Sequence, residues 1–292
     1  MQEAVIVSSA RTPVGSFGGS LKTVSAIDLG ALAIHEAVKR AGLRPVVSDG
    51  MKTAAPDALK DQGRIDLESK QNDWDDNATP VVVDEVIMGN VLLAGQGQNP
   101  GRQAMIRAGI PKETPAFTIN KVCASGLKSI ALGASAIMCG EADVIIAGGQ
   151  ESMSSAPMAL PNARWGHRME VTGKGDVYDL MVYDGLYEIF YGYHGGDRGK
   201  YCGKISDFRE EQDELSLLSH NRARAAIADG TFAREIVPVV ISGRKGDVTV
   251  DTDERPMKPA WKKWPNCGRC LRKTARSPRA MPPASMTAPP PW

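Results

Sequence analysis

Of the side chains able to do covalent chemistry, Cys123 has the most telling neighbourhood. It stands between a short apolar run, residues 115–120, and the segment ASGLKSIALGASAIMCG, which has helical character from Ala124 onward. A thiol at a strand-to-helix turn meets the positive end of the helix dipole and backbone N–H groups without helical partners, a setting that favours the thiolate. The same N–H groups can form half of an oxyanion hole, and Gly126 in the first turn leaves room for a ligand to approach the backbone. This combination suits a nucleophile; the competing reading is a buried, inert cysteine. A nucleophilic cysteine also needs a base, and none of His35, His167, His194 and His220 is placed beside it by sequence. His35 and His220 fall within helical patterns and read as surface or packing residues. His167 falls in a loop, and His194 lies in Tyr-Gly-Tyr-His-Gly-Gly, where a ring nitrogen could meet a ligand. Gly148 and Gly149 follow a strand and could cradle a phosphate, but neither GxGxxG nor P-loop spacing is present. Cys267 and Cys270 have the CxxC form without a second pair of ligands, so the metal reading is weak.

The elements that must position Cys123 alternate. Apolar, β-rich runs at residues 4–9, 81–88, 115–120 and 142–149 read as buried strands. Between the first two, Ser25 opens a helix as its cap, with Asp28 three residues on in a capping box. Ile27, Ala31, Ile34 and Val38 share one face of that helix, and Gly42 ends it. Asn99 caps another helix whose first residue is Pro100. The segment after Cys123 is rich in small residues and nearly apolar all round, so burial is expected for it. Strands alternating with helices predict an α/β fold with a mostly parallel sheet covered on both faces. Residues 45–80 are polar and weakly periodic and read as a surface insertion, either with one short helix around 58–70 or as a flexible loop. Residues 150–257 read as a loop subdomain inserted after the fourth strand, with a helix over about 209–228 and short strands at 236–240 and 247–250.

Bulk composition narrows the classes without naming a function. The 292 residues carry 35 Lys plus Arg against 34 Asp plus Glu, a net charge of +1. That balance gives no electrostatic reason to expect nucleic acid or an anionic membrane as partner. No uninterrupted run of about 18 apolar residues is present, so a transmembrane helix is not expected. The first residues, MQEAVIVSSA, lack a basic n-region. Five scattered cysteines without framework spacing fit a reducing compartment. A cytoplasmic protein with free thiols is the expectation.

A set of ordered phrases adds a resemblance. Ser9-Ala10-Arg11-Thr12-Pro13, Met88-Gly89-Asn90-Val91-Leu92, Gly97-Gln98-Asn99-Pro100, Asn120-Lys121-Val122-Cys123-Ala124-Ser125-Gly126 and Gly148-Gly149-Gln150-Glu151-Ser152-Met153-Ser154 resemble the thiolase family, of the acetyl-CoA acetyltransferase type. Asp184-Gly185-Leu186, Gly192-Tyr193-His194 and Gly243-Arg244-Lys245-Gly246-Asp247 extend the match, which runs to about residue 257 outside the 45–80 insertion. A β-ketoacyl synthase is the related alternative, and the phrases at Gln150–Ser154 and Gly97–Pro100 favour thiolase. The resemblance implies a thiolase-like five-layered αβαβα fold of two similar halves, with a loop domain in the first half. It implies Cys123 as the acyl-accepting nucleophile, Leu186 and His194 lining the coenzyme A site, and Arg255 at the nucleotide end of coenzyme A. Acyl-CoA thioesters are the implied substrates, with no metal and no other cofactor, and a homo-oligomer is the implied assembly.

Departures from the family pattern shape the expectation of activity. After His194 the chain reads Gly195-Gly196-Asp197-Arg198, where the family has a Met-Gly phrase, so one coenzyme A contact lacks its residue. The family's second half, with its Asn-Glu-Ala-Phe loop, Gly-His-Pro histidine and second cysteine, has no counterpart. Residues 258–292 show no helix or strand period. Their codons, regrouped from the third base of each, force Ala from Met281-Pro282, Asp from Met286-Thr287, Glu from Trp261-Lys262 and Ala from Trp264-Pro265. These fit the family's phrase at this place, so the tail reads as a frameshifted thiolase sequence, which removes the zinc reading of Cys267 and Cys270. The alternative function is therefore a catalytically inactive thiolase remnant, prone to self-association because its Cys123 helix lacks the family's covering half.

Overall fold

A computed structural model describes residues 2–56, 58, 62–166, 176–190, 192–194, 209–244 and 246–256. Its centre is a three-stranded parallel sheet of order β4–β3–β5, where β3 is Glu85–Gly89, β4 Ala116–Ile119 and β5 Ile145–Gly149. Val86 pairs with Ala116 and Ile146, and Gly89 with Ile119 and Gly149, so all three strands finish at one edge. The tail 257–292, with Cys267 and Cys270, lies outside the described residues, as do His167 and residues 195–208.

One face of the sheet is sealed by α1 (Ala26–Arg40) and α4 (Pro100–Arg107). Ser25 caps α1 as its sequence predicts, accepting from the Asp28 amide at 3.0 Å, and Ile27, Ala31, Ile34 and Val38 are buried against Val86, Met88 and Met105. Asn99 caps α4 through the Arg102 amide, with Pro100 in the first turn. Asn99 also accepts from Thr118 Oγ1 and donates to the Ala116 carbonyl, which joins the start of α4 to β4.

The other face carries α5 (Ser125–Cys139), and here the expectation of a buried helix is corrected. Only Ser125, Ser129 and Gly133 are buried; Leu127 is 73% exposed and Ile130 and Met138 about 40%. The helix packs closely through its small residues, with Gly133 against Ile145 and Ala147, so its larger apolar side chains point away from the sheet. The window Val122–Cys139 has a mean hydropathy of 1.5, apolar and long enough to cross a membrane by length and composition alone. Ala, Ile and Leu raise that average although Lys128 interrupts the run.

The first expected strand is also corrected. Residues 4–9 join no ladder, and Val5, Ile6 and Val7 are strongly exposed. A β-rich sequence still needs a neighbour to bury it, and among the described residues none pairs with this run. Pairing begins only at Arg11, which bridges to Ile236.

The 45–80 region is anchored at both ends. β1 (Leu43–Pro45) pairs in parallel with β2 (Thr79–Val81), and the chain between them includes α2 (Asp49–Ala54) and α3 (Asp66–Ser69). Glu68, 1% exposed, accepts from the Lys112 and Ile65 amides, both at 2.7 Å. Trp74 packs tilted against His35, with ring centroids 4.3 Å apart, and donates to the Gly109 carbonyl. His35 is thus a buried packing residue, with Nδ1 on the Ala108 carbonyl and Nε2 3.1 Å from Asp73.

Beyond β5, two-residue antiparallel pairs, β6 (Met158–Ala159) with β7 (Tyr178–Asp179) and β8 (Tyr187–Glu188) with β9 (Tyr193–His194), flank α6 (Leu180–Tyr183). The predicted long helix is present as α7 (Arg209–Ala228), followed by the antiparallel pair β10 (Val239–Ile241) and β11 (Val248–Val250). Asp253 and Glu254 then return to the N-terminal loop. Arg11 donates both terminal nitrogens to the Asp253 carboxylate, at 2.8 and 3.0 Å, and Asp253 also accepts from the Val14 amide. Burial pushes the Asp253 carboxyl up, but Arg11 and the Val14 amide outweigh it and hold the group below its ordinary value. Glu254 is held low by the Ser16 amide and by Ser20.

Candidate active site

The three strands end together, and the loops leaving them enclose a cleft of about 390 Å³. Open parallel sheets place ligands at this edge, outside the carboxyl ends of their strands. Gly89–Leu92 supply one wall, Val122, Cys123, Ser125 and Gly126 the second, and Gly149–Glu151 with Met153 the third, while Gly185 and Leu186 reach over from the loop region. The lining is mainly apolar, as expected for a site that takes a small organic ligand.

Cys123 is exposed on this cleft as a free thiol at the entrance to α5. The turn that delivers it is strained: Val122 has φ +49°, and a β-branched residue with positive φ is a genuine outlier. Such strain persists only where the surroundings enforce it, and it clusters at functional sites. The close approach of α5 to the sheet depends on Gly89, because a Cβ there would come within 2.5 Å of the Ser125 backbone carbon. By contrast, a Cβ on Gly126 would make only ordinary contacts, at 3.8 Å or more. The sterically required glycine is therefore the one ending β3, not the one in the first turn of α5.

Glu151 organises the wall facing Cys123. Its carboxylate accepts from Asn90 Nδ2 at 2.9 Å and from the Val91 and Leu92 amides at 2.8 and 3.3 Å. Asn120 donates to the Val91 carbonyl at 3.4 Å, tying that wall to the turn before Cys123. In the sequence Asn90 and Glu151 stand out only as parts of matching phrases, with no role attached. Their contact spans 61 residues, and no local spacing signals it.

Of the four residues singled out by sequence, the structure brings Cys123 and Leu186 to one cleft. His194 pairs with Tyr187, the neighbour of Leu186, but is not among the described lining residues. Arg255 is exposed beside the Asp253–Glu254 anchor, away from the cleft lining. No described residue of the lining is a histidine or a second cysteine, and no cluster of metal-ligating side chains is found among the described residues.

A doubly covered parallel sheet, with an exposed cysteine at a strained strand-to-helix turn on the cleft, defines a protein of the α/β class. Residues 4–53 and 74–262 match the family described as thiolase, N-terminal domain, and the chain belongs to the thiolase family. Acetyl-CoA acetyltransferases from Syntrophomonas wolfei and Escherichia coli K12 are 47% and 45% identical over 258 residues each, 88% of this chain and 56% of each relative. The crystal structure of the Bacillus anthracis acetyl-CoA acetyltransferase superposes with a TM-score of 0.70 at 32% identity, over 88% of this chain and 56% of that one. The chain thus spans just over half the length of these relatives.

Proposed function

We propose that Cys123 accepts an acetyl group from acetyl-CoA, as the first half of an acetyl-CoA acetyltransferase reaction. The observation that carries this reading is the exposed Cys123 thiol on a largely apolar cleft, at the N-terminus of α5. The thiolate Sγ attacks the thioester carbonyl, a new C–S bond forms, and the coenzyme A thiolate leaves with the electrons of the old one. The positive end of α5 and its first-turn amides favour the negative charge that develops on the carbonyl oxygen. Leu186 supplies apolar surface for the acyl-bearing arm, while His194 and Arg255 are proposed to meet coenzyme A outside the cleft. Peptide mass spectrometry after mixing with acetyl-CoA tests this: the acetyl mass should appear on the Cys123 peptide and vanish in Cys123→Ala. Acetylation elsewhere, or none, would reject it.

A second reading concerns turnover. Carbon–carbon bond formation needs a base to deprotonate the second acetyl-CoA, and such steps contribute typically about 10²–10⁴-fold. The described lining offers no histidine or second cysteine for that task. The 292-residue chain should therefore take up one acyl group without catalytic cleavage of acetoacetyl-CoA. Steady turnover abolished by Cys123→Ala would contradict this second reading alone.

A further inference from the structure

We infer that Asn120 and Ser125 are positioning residues for Cys123: their side chains grip the peptide groups on either side of Val122 and hold the left-handed turn that delivers the thiol to the cleft. The inference rests on Cys123 as the acyl acceptor. The Val122 N–H donates to Asn120 Oδ1 at 2.9 Å, which fixes the peptide before the strained φ. Ser125 Oγ donates to the Val122 carbonyl at 2.6 Å, which fixes the peptide after it. The same Oγ accepts from the Lys121 N–H at 2.8 Å.

A valine left to itself avoids φ +49°, because its branched Cβ crowds the backbone there. Each of the three hydrogen bonds disappears or distorts if Val122 relaxes to an ordinary φ. Ser125 is itself immobilised, being 4% exposed under Gly89. The arrangement stores local strain at the residue preceding the nucleophile, and the Asn120 amide extends the clamp to Val91 on the facing wall. Releasing the clamp lets Val122 swing back, which turns Cys123 away from the α5 N-terminus.

The experiment follows iodoacetamide alkylation of the whole chain by peptide mass spectrometry. Cys139, the exposed thiol at the far end of α5, is the internal control. Asn120→Ala and Ser125→Ala should each slow labelling of Cys123 by about three- to tenfold, the scale of one or two net hydrogen bonds, with Cys139 unchanged. A Val122→Gly background separates positioning from general support, since glycine enters positive φ without a Cβ penalty. There, adding Asn120→Ala should slow Cys123 much less than it does beside valine. Unchanged Cys123 labelling in both single variants, a parallel change at Cys139, or an Asn120→Ala effect of the same size in the glycine background would each overturn the inference. If Cys123 is no faster than Cys139 in the unaltered chain, the nucleophile reading itself fails, an outcome distinct from failure of the clamp.

Discussion

The two faces of the β4–β3–β5 sheet are covered in different ways. Under α1 and α4 the side chains of Ile34, Val86, Met88, Met105 and Ile110 interlock with almost no exposure. Under α5 the contact runs through Ser125, Ser129 and Gly133, and the helix presents Leu127, Ile130 and Met138 outward. Large apolar side chains on the first face contribute burial, roughly 25 cal/mol per Å² removed from water. Small residues on the second give up that contribution and gain proximity, letting the start of α5 and Cys123 sit against the end of β3. The first face stabilises the fold, while the second sets Cys123 on the cleft.

The largest expected effect separates them directly. Met105→Ala empties a fully buried site and should cost about 3 kcal/mol. Leu127→Ala, trimming a side chain already 73% exposed, should stay within about 0.5 kcal/mol. Urea unfolding of the two variants at equal protein concentration checks this; equal losses would mean that α5 is buried in solution by something on its outer face.

A smaller effect should appear on acidification. Asp253 and Glu254 are both held below their ordinary carboxylate values, so their contribution is present above the unfolded-state pKa, about 3.9 for Asp and 4.3 for Glu. It is lost as pH falls through the lower folded values. Asp253→Asn should lower stability at neutral pH and flatten the acid limb of the stability profile. An acid limb of unchanged steepness would place the acid-sensitive groups elsewhere, away from the Arg11 anchor.

The smallest effect in free energy concerns association. The outward apolar strip of α5 and the exposed run Val5–Val7 favour self-association. Leu127→Glu should shift the size-exclusion profile toward smaller species, with little change in the melting temperature. A sharp monomer peak for the unaltered chain would contradict the prediction.

What is legible in the sequence follows the range of each signal. The Ser25 and Asn99 caps, the apolar stripe of α1 and the extent of α7 depend on residues a few positions apart, and the structure reproduces them. Cys123 and Leu186 stand out through dense local phrases. The burial of residues 4–9 and of α5 is overestimated because apolar character reports a tendency, while burial needs a partner surface. The docking of Glu68 on Lys112, the Glu151 brace on residues 90–92 and the Arg11–Asp253 pair span 44 to 242 residues, so nothing in their immediate sequence announces them.

Substrate protection tests most directly whether the sheet's second face is the chemical one. The chain is treated with acetyl-CoA, then with iodoacetamide, and the Cys123 and Cys139 peptides are quantified together. Acetyl-CoA should block alkylation of Cys123, which lines the cleft, and leave that of Cys139 unchanged. Equal alkylation of Cys123 with and without acetyl-CoA would contradict the assignment of this cleft as the acyl-accepting site.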